Sequence, residues 1–154
     1  MKKYLVPILS LAMAGFGVAA LTPQAVKPAK SVVQTDKAPK ATGPLSQAIV
    51  AGGFVYCSGQ LPVDPATGKV APGGIEEQTR QVLKNLQAIL EASGSSLDHV
   101  VKCTVLMTDL TEFAAMNKVY AEFFKAPFPA RATFQIGALA LGVKIEIDCI
   151  AVKP

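Results

Sequence analysis

Residues 75–107 read IEEQTRQVLKNLQAILEASGSSLDHVVKCTVLM, and this stretch decides the fold class. Ile75, Val82, Leu83, Leu86, Ile89 and Leu90 recur at the three- and four-residue spacing of one helix face. Glu76 and Glu77 fall in the first turn, where the helix dipole favours acid, and Gly94 supplies a stop. The period then changes from 3.6 to two. Across residues 99–107, Val101, Cys103, Val105 and Met107 fall on one face of a strand. A helix that hands over to a strand in this way belongs to an α+β chain.

Reading outward, Asp109-Leu110-Thr111-Glu112 has the spacing of a capping box, with Asp in the usual Ser/Thr place. The helix it opens presents Phe113, Met116, Tyr120, Phe123 and Phe124 as one stripe, and Pro127 and Pro129 end it. Residues 131–138 and 143–152 are two more strands, joined through Leu139-Ala140-Leu141-Gly142. On the other side, the apolar runs 44–50 and 54–60 flank Ala51-Gly52-Gly53, a hairpin signal, and Asp64-Pro65-Ala66-Thr67-Gly68 is a turn. The order is ββαβαββ, an α+β domain with two helices on one face of its sheet. The other face must meet solvent, a ligand or another subunit.

The ends of the chain are of a different kind. Met1-Lys2-Lys3, an apolar run from Leu5 and the small residues Val18-Ala19-Ala20 form a signal peptide over 1–20, with cleavage after Ala20 and a periplasmic or secreted destination. Pro7, Gly15 and Gly17 argue against a permanent membrane anchor. Residues 21–43, with Pro23, Pro28 and Pro39 and no aromatic side chain, read as a flexible linker, leaving 44–154 as the folded domain.

The 154-residue chain is 51% hydrophobic and 17% charged, which excludes a disordered or coiled-coil protein. Its net charge of +4 resides in residues 1–40, the leader and linker, because from Ala41 onward there are 9 basic and 10 acidic residues. The domain therefore has no footprint for phosphate backbones, and no nucleic-acid partner is expected. Nor is membrane binding expected once the leader is removed.

Candidate chemistry lies in the last two strands. Alternation puts Arg131, Thr133 and Gln135 on one face of the first, and Lys144, Glu146 and Asp148 on one face of the second. A hairpin symmetric about Leu139–Ala140 would set Thr133 opposite Glu146 and Arg131 opposite Asp148, with Arg131 and Glu146 as diagonal neighbours on the helix-free face. Such a face is either a solvated array of ion pairs or a site. In the second case Arg131 is a fork for a substrate carboxylate and Glu146 an acid–base group. His99, at a loop-to-strand edge, reads as a surface residue. Cys57, Cys103 and Cys149 read as buried inert thiols, scattered along the chain. There is no phosphate loop, dinucleotide fingerprint or zinc-ligand spacing.

Four motifs, Gly43-Pro44-Leu45-Ser46-Gln47-Ala48, Ser58-Gly59-Gln60-Leu61-Pro62, Phe128-Pro129-Ala130-Arg131-Ala132 and Lys144-Ile145-Glu146-Ile147, resemble the reactive-intermediate deaminase (RidA/YjgF) family in the same order. The resemblance implies a chorismate-mutase-like fold with a mixed sheet, assembled as a homotrimer with sites between subunits. The implied activity is cofactor-independent and metal-free hydrolysis of 2-iminobutanoate and 2-iminopropanoate, enamine/imine intermediates, to 2-keto acids and ammonia. By position, Arg131 matches the carboxylate-binding Arg and Glu146 the residue that positions or activates water, and Ser58, Gly59 and Asn117 match pocket-lining positions. Thr133 stands where many members have Cys. Leu45 stands where deaminating members usually place Tyr, and the segment before Phe128 is shorter than in typical members. The alternatives are a non-catalytic trimeric binding module for small carboxylates, favoured by Leu45, and a chaperone-like or ribonuclease role on the same fold.

Overall fold

The structure is a computed structural model and describes residues 29–154. The expected signal peptide and cleavage site, and linker residues 21–28, lie outside the described residues. Eight principal elements follow in order: β1 (Ser31–Val33), β2 (Ala48–Ala51), β3 (Phe54–Gln60), α1 (Ile75–Ala92), β4 (Val100–Met107), α2 (Phe113–Phe123), β5 (Ala130–Gln135) and β6 (Ile145–Val152). They form one six-stranded sheet, ordered β1-β2-β3-β6-β4-β5, with both helices on one face. The β4–β5 pair is parallel and the other pairs are antiparallel, so the sheet is mixed and the class is α+β.

Helix α1 spans the bounds its periodicity sets, and Val82, Leu83, Leu86, Ile89 and Leu90 are fully buried. They pack on Val55, Cys103, Val105, Ile145 and Ile147, the inward-facing residues of the central strands. Two glycines, Gly52 and Gly53, make the β2–β3 turn with φ of 58° and 80°, the left-handed pair that a two-residue hairpin loop requires.

Three expectations are corrected here. The stretch read as a flexible linker contains β1, whose Ser31, Val32 and Val33 pair with Val50, Ile49 and Ala48. Val33 and Ala38 are buried, and the Gln47 side-chain amide donates to the carbonyls of Thr35 (3.0 Å) and Pro39 (2.8 Å). This segment is ordered by a sheet edge and a buried glutamine further along the chain, so its own low hydrophobicity does not decide its state.

On β4, Val101 does not join Cys103, Val105 and Met107 on the buried face. The ladder slips between Val100 and Lys102, turning Val100 inward and Val101 outward. At the start of α2, Asp109 caps a short 3-10 turn by accepting from the Thr111 N–H at 2.8 Å. Glu112 turns away to accept from Lys144 Nζ, also at 2.8 Å, so the reciprocal box is not made.

Candidate functional site

The hairpin expected between the last two strands does not exist, and this relocates the site. β4 lies between β5 and β6: Arg131 is level with Cys103, and Cys103 with Cys149 on β6. The link through a 3-10 turn at Ala140–Gly142 carries the chain past the end of β4. A parallel β4–β5 pair followed by an antiparallel β6 is invisible to alternation, which sorts faces but not neighbours.

The faces differ from expectation as well. Arg131 shares the face of buried Cys103, the helix side. Its guanidinium lies 4.5 Å from the ring centre of Tyr120 and 5.5 Å from that of Phe113, both on α2. Its Nη2 donates to Asn117 Oδ1 at 2.8 Å. Glu146 lies on the opposite, helix-free face, between fully buried Ile145 and Ile147. Within one chain, Arg131 and Glu146 are thus two strand spacings apart across the sheet and three residues apart along it, ~14 Å in all, and on opposite sides of the sheet. They cannot act on one small molecule bound to a single subunit.

Each of the two has surroundings of its own. Asn117, Tyr120, Phe128, Pro129 and Arg131 enclose a cavity of about 300 Å³. Asn117 and Tyr120 are one helical turn apart on α2, so one accepts from the guanidinium while the ring of the other lies against it. The Tyr120 hydroxyl is buried without a hydrogen-bond partner; burial raises its pKa and keeps it neutral beside the cation. Thr133, level with Val105, shares the Arg131 side of β5 and is half-buried.

On the other half, Leu45 and Gly59 line a cavity of about 360 Å³ with Leu61, Val63 and Leu141. A β-carbon at Gly59 would collide with the Glu146 carboxylate, so glycine here lets the acid lie against the β3 backbone. Ser58 donates through its hydroxyl to the Ser46 carbonyl at 2.7 Å and through its N–H to Gln47 at 3.0 Å. It thereby holds the Leu45 segment over β3. Burial, with the nearby Asp148 charge as a smaller cause, raises the Glu146 pKa above the ordinary carboxylate value.

Of the residues singled out in the sequence, Arg131 and Asn117 come together, as do Leu45, Gly59 and Glu146. The two groups do not meet. Tyr120, Phe128 and Leu141 were missed as cavity residues. Tyr120 had a signal, its one-turn spacing from Asn117, while Leu141 read only as part of a turn.

The three cysteines are less scattered than they look in sequence: Cys57 is level with Cys149, and Cys149 with Cys103, across three adjacent strands. All are buried and free. Burial pushes the Cys103 thiol up to about 11, and the Cys57 contact and burial push Cys149 higher still, so neither supplies a thiolate. His99 meets Ser96 at the surface, away from both cavities.

Residues 35–153 match the family model described as Endoribonuclease L-PSP. Reactive Intermediate Deaminase A, chloroplastic, of Arabidopsis thaliana is 50% identical over 133 residues, 86% of this chain and 71% of that protein. The 2-iminobutanoate/2-iminopropanoate deaminase of Capra hircus is 46% identical over 124 residues, 80% of this chain and 90% of that one. Among solved structures, E. coli TdcF with bound serine superposes with a TM-score of 0.77 at 41% identity, covering 80% of this chain and 99% of that one. With the sheet order, the two helices and the matched span in agreement, the chain belongs to the Endoribonuclease L-PSP family, the RidA/YjgF family of reactive-intermediate deaminases.

Proposed function

We propose that this chain is an exported deaminase of 2-iminopropanoate and 2-iminobutanoate, working as a homotrimer in which each site joins the Arg131 half of one subunit to the Glu146 half of the next. The observation that carries the reading is the split itself. The Arg131 fork lines one open cavity, and the Glu146 carboxyl, its pKa raised, lies against Gly59, a residue that lines another, on the opposite face of the chain. A second copy reconciles them, and a closed ring repeats the same contact. The helix-free face also exposes Phe54, Tyr56 and Val152, apolar side chains that such a contact would cover. The deaminase relatives, at 45–50% identity, and a small amino acid bound to TdcF support the same class of ligand.

The chemistry is an addition and an elimination. Arg131 grips the substrate carboxylate, with Asn117 and Tyr120 fixing its plane, which places the C=N carbon. Glu146 takes a proton from the water that adds to that carbon and returns it to the nitrogen. The carbon–nitrogen bond of the resulting amino alcohol then breaks, releasing ammonia and the 2-keto acid. The steps balance with water alone, so no cofactor enters the proposal. The near-neutral domain argues against ribonuclease action. Leu45, which offers no hydroxyl to the cavity, favours a second reading in which the same trimer binds small carboxylates without turnover.

Generating 2-iminopropanoate with an amino-acid oxidase in the presence of semicarbazide separates the two. The deaminase lowers the rate of semicarbazone formation. A rate equal to the control, with 2-keto acids still bound, assigns the binding module. Export rests on Lys2, Lys3, the apolar run and Ala20. N-terminal sequencing of periplasmic protein should begin near Leu21, and an intact Met1 would overturn it.

A further inference from the structure

A row of cysteines crosses the sheet beneath the helices, apart from both cavities. Cys57 on β3 stands directly opposite Cys149 on β6 in an antiparallel ladder, and Cys103 on β4 stands opposite Cys149 on its other side. Residues opposed in such a ladder project to the same face with α-carbons ~4.5–5.5 Å apart. A disulfide spans ~4.4–6.8 Å between α-carbons, so joining either pair asks for no strand movement. All three thiols lie in the core that packs under α1 and α2.

Cys149 thus has two cysteine neighbours, and the surroundings choose between them. Its thiol contacts that of Cys57, whereas the Cys103 thiol lies beside Tyr120 on α2. Cys57 is also the last residue of β3 paired in register before the ladder with β6 shifts. Ser58 and Gly59 follow at once, one holding the Ser46 carbonyl and the other lying under the Glu146 carboxylate. A link at Cys57 would fasten β3 to β6 where their ladder breaks.

We propose that Cys57 and Cys149 form a cross-strand disulfide in the mature chain and that Cys103 is left as its free thiol. The bridge closes a loop holding α1, β4, α2 and β5, and long loops gain most from closure. It goes beyond the deaminase reading and takes only an oxidising destination from the proposed export. The oxidant is a disulfide of that compartment, protein-borne or small. The thiolate of one cysteine attacks it, forming a mixed disulfide and releasing one thiol. The other cysteine gives up its proton and displaces the second thiol, so two thiols and a disulfide become a disulfide and two thiols. In the folded chain, the Cys57 contact and burial keep the Cys149 thiol protonated, which places oxidation before the core closes.

The test uses the full chain expressed with its leader and recovered from the periplasm, then unfolded in guanidinium with a maleimide and no reductant. Trypsin puts Cys57, Cys103 and Cys149 into separate peptides, 41–69, 103–118 and 145–154. Only Cys103 should carry the maleimide, and peptides 41–69 and 145–154 should run as one linked mass that dithiothreitol separates. Reduction should lower Tm by ~10 °C, the scale of a native disulfide that closes a long loop. Cys57→Ala and Cys149→Ala should each abolish that sensitivity to reductant, whatever their starting Tm, and Cys103→Ala should keep it. Three labelled cysteines, or a linked mass containing peptide 103–118, overturns the inference. A chain that stays inside the cell with Met1 intact refutes export alone. The same chain, unfolded, reduced and refolded in a mixture of glutathione and glutathione disulfide, then decides the bridge by the same peptide map: the linked mass upholds it and three free thiols overturn it.

Discussion

Glu146→Gln is expected to lower hydrolysis of 2-iminopropanoate by ~10²–10⁴-fold, the usual worth of a positioned acid–base group, while 2-keto acids still bind. The amide keeps the shape of the carboxylate over Gly59 but cannot accept the proton that water gives up. The pH dependence follows from the raised pKa. Activity requires the ionised form, so kcat/KM should fall on the acid side through a value above that of an ordinary Glu, because burial and then Asp148 disfavour the charge. The glutamine variant should lack that limb. An acid limb that survives in Glu146→Gln would place the base elsewhere.

Arg131→Lys should weaken 2-keto acid binding by ~1–3 kcal/mol, roughly 5- to 150-fold in Kd. Lysine keeps the charge but loses the paired N–H groups, the Asn117 hydrogen bond made by Nη2 and the guanidinium contact over the Tyr120 ring. Titration calorimetry with pyruvate reads this directly. The same pair of positions tests the split site. Arg131→Ala and Glu146→Gln, each inactive alone, should regain activity when refolded together, with about one site in four intact if subunits mix at random in a ring. A single-chain site predicts no recovery. Loss of both halves without recovery on mixing, in a protein that light scattering finds monomeric, would refute the intersubunit site.

The elements were legible because each is local. The apolar stripe of α1 and the alternation of β4 and β6 arise from a helix turn of 3.6 residues and a strand period of two, and both are visible within a window of ten residues. The single slip on β4, which turns Val101 outward, depends on the pairing with β6 and leaves no mark in composition. The order of segment 31–39 leaves no mark in the sequence for a related reason. Its partners are the Gln47 side chain and the edge of β2, so its order is a long-range property.

The residue types of the site were legible too, since a guanidinium and an acid on strands flanked by the family motifs point to carboxylate recognition and proton transfer. Their mutual placement was not. Face alternation put Arg131 and Glu146 together on the helix-free face, whereas the inserted β4 and the turn at Ala140–Gly142 put them on opposite faces of one sheet. By itself the sequence determined which residues could bind and transfer protons, and on which elements they sit, because side-chain chemistry and backbone periodicity are carried by each short segment alone. Only the tertiary structure decided that Arg131 and Glu146 stand on opposite faces of one sheet and that Leu45 and Leu141 share a cavity, because strand order and crossover depend on which distant segments bury each other.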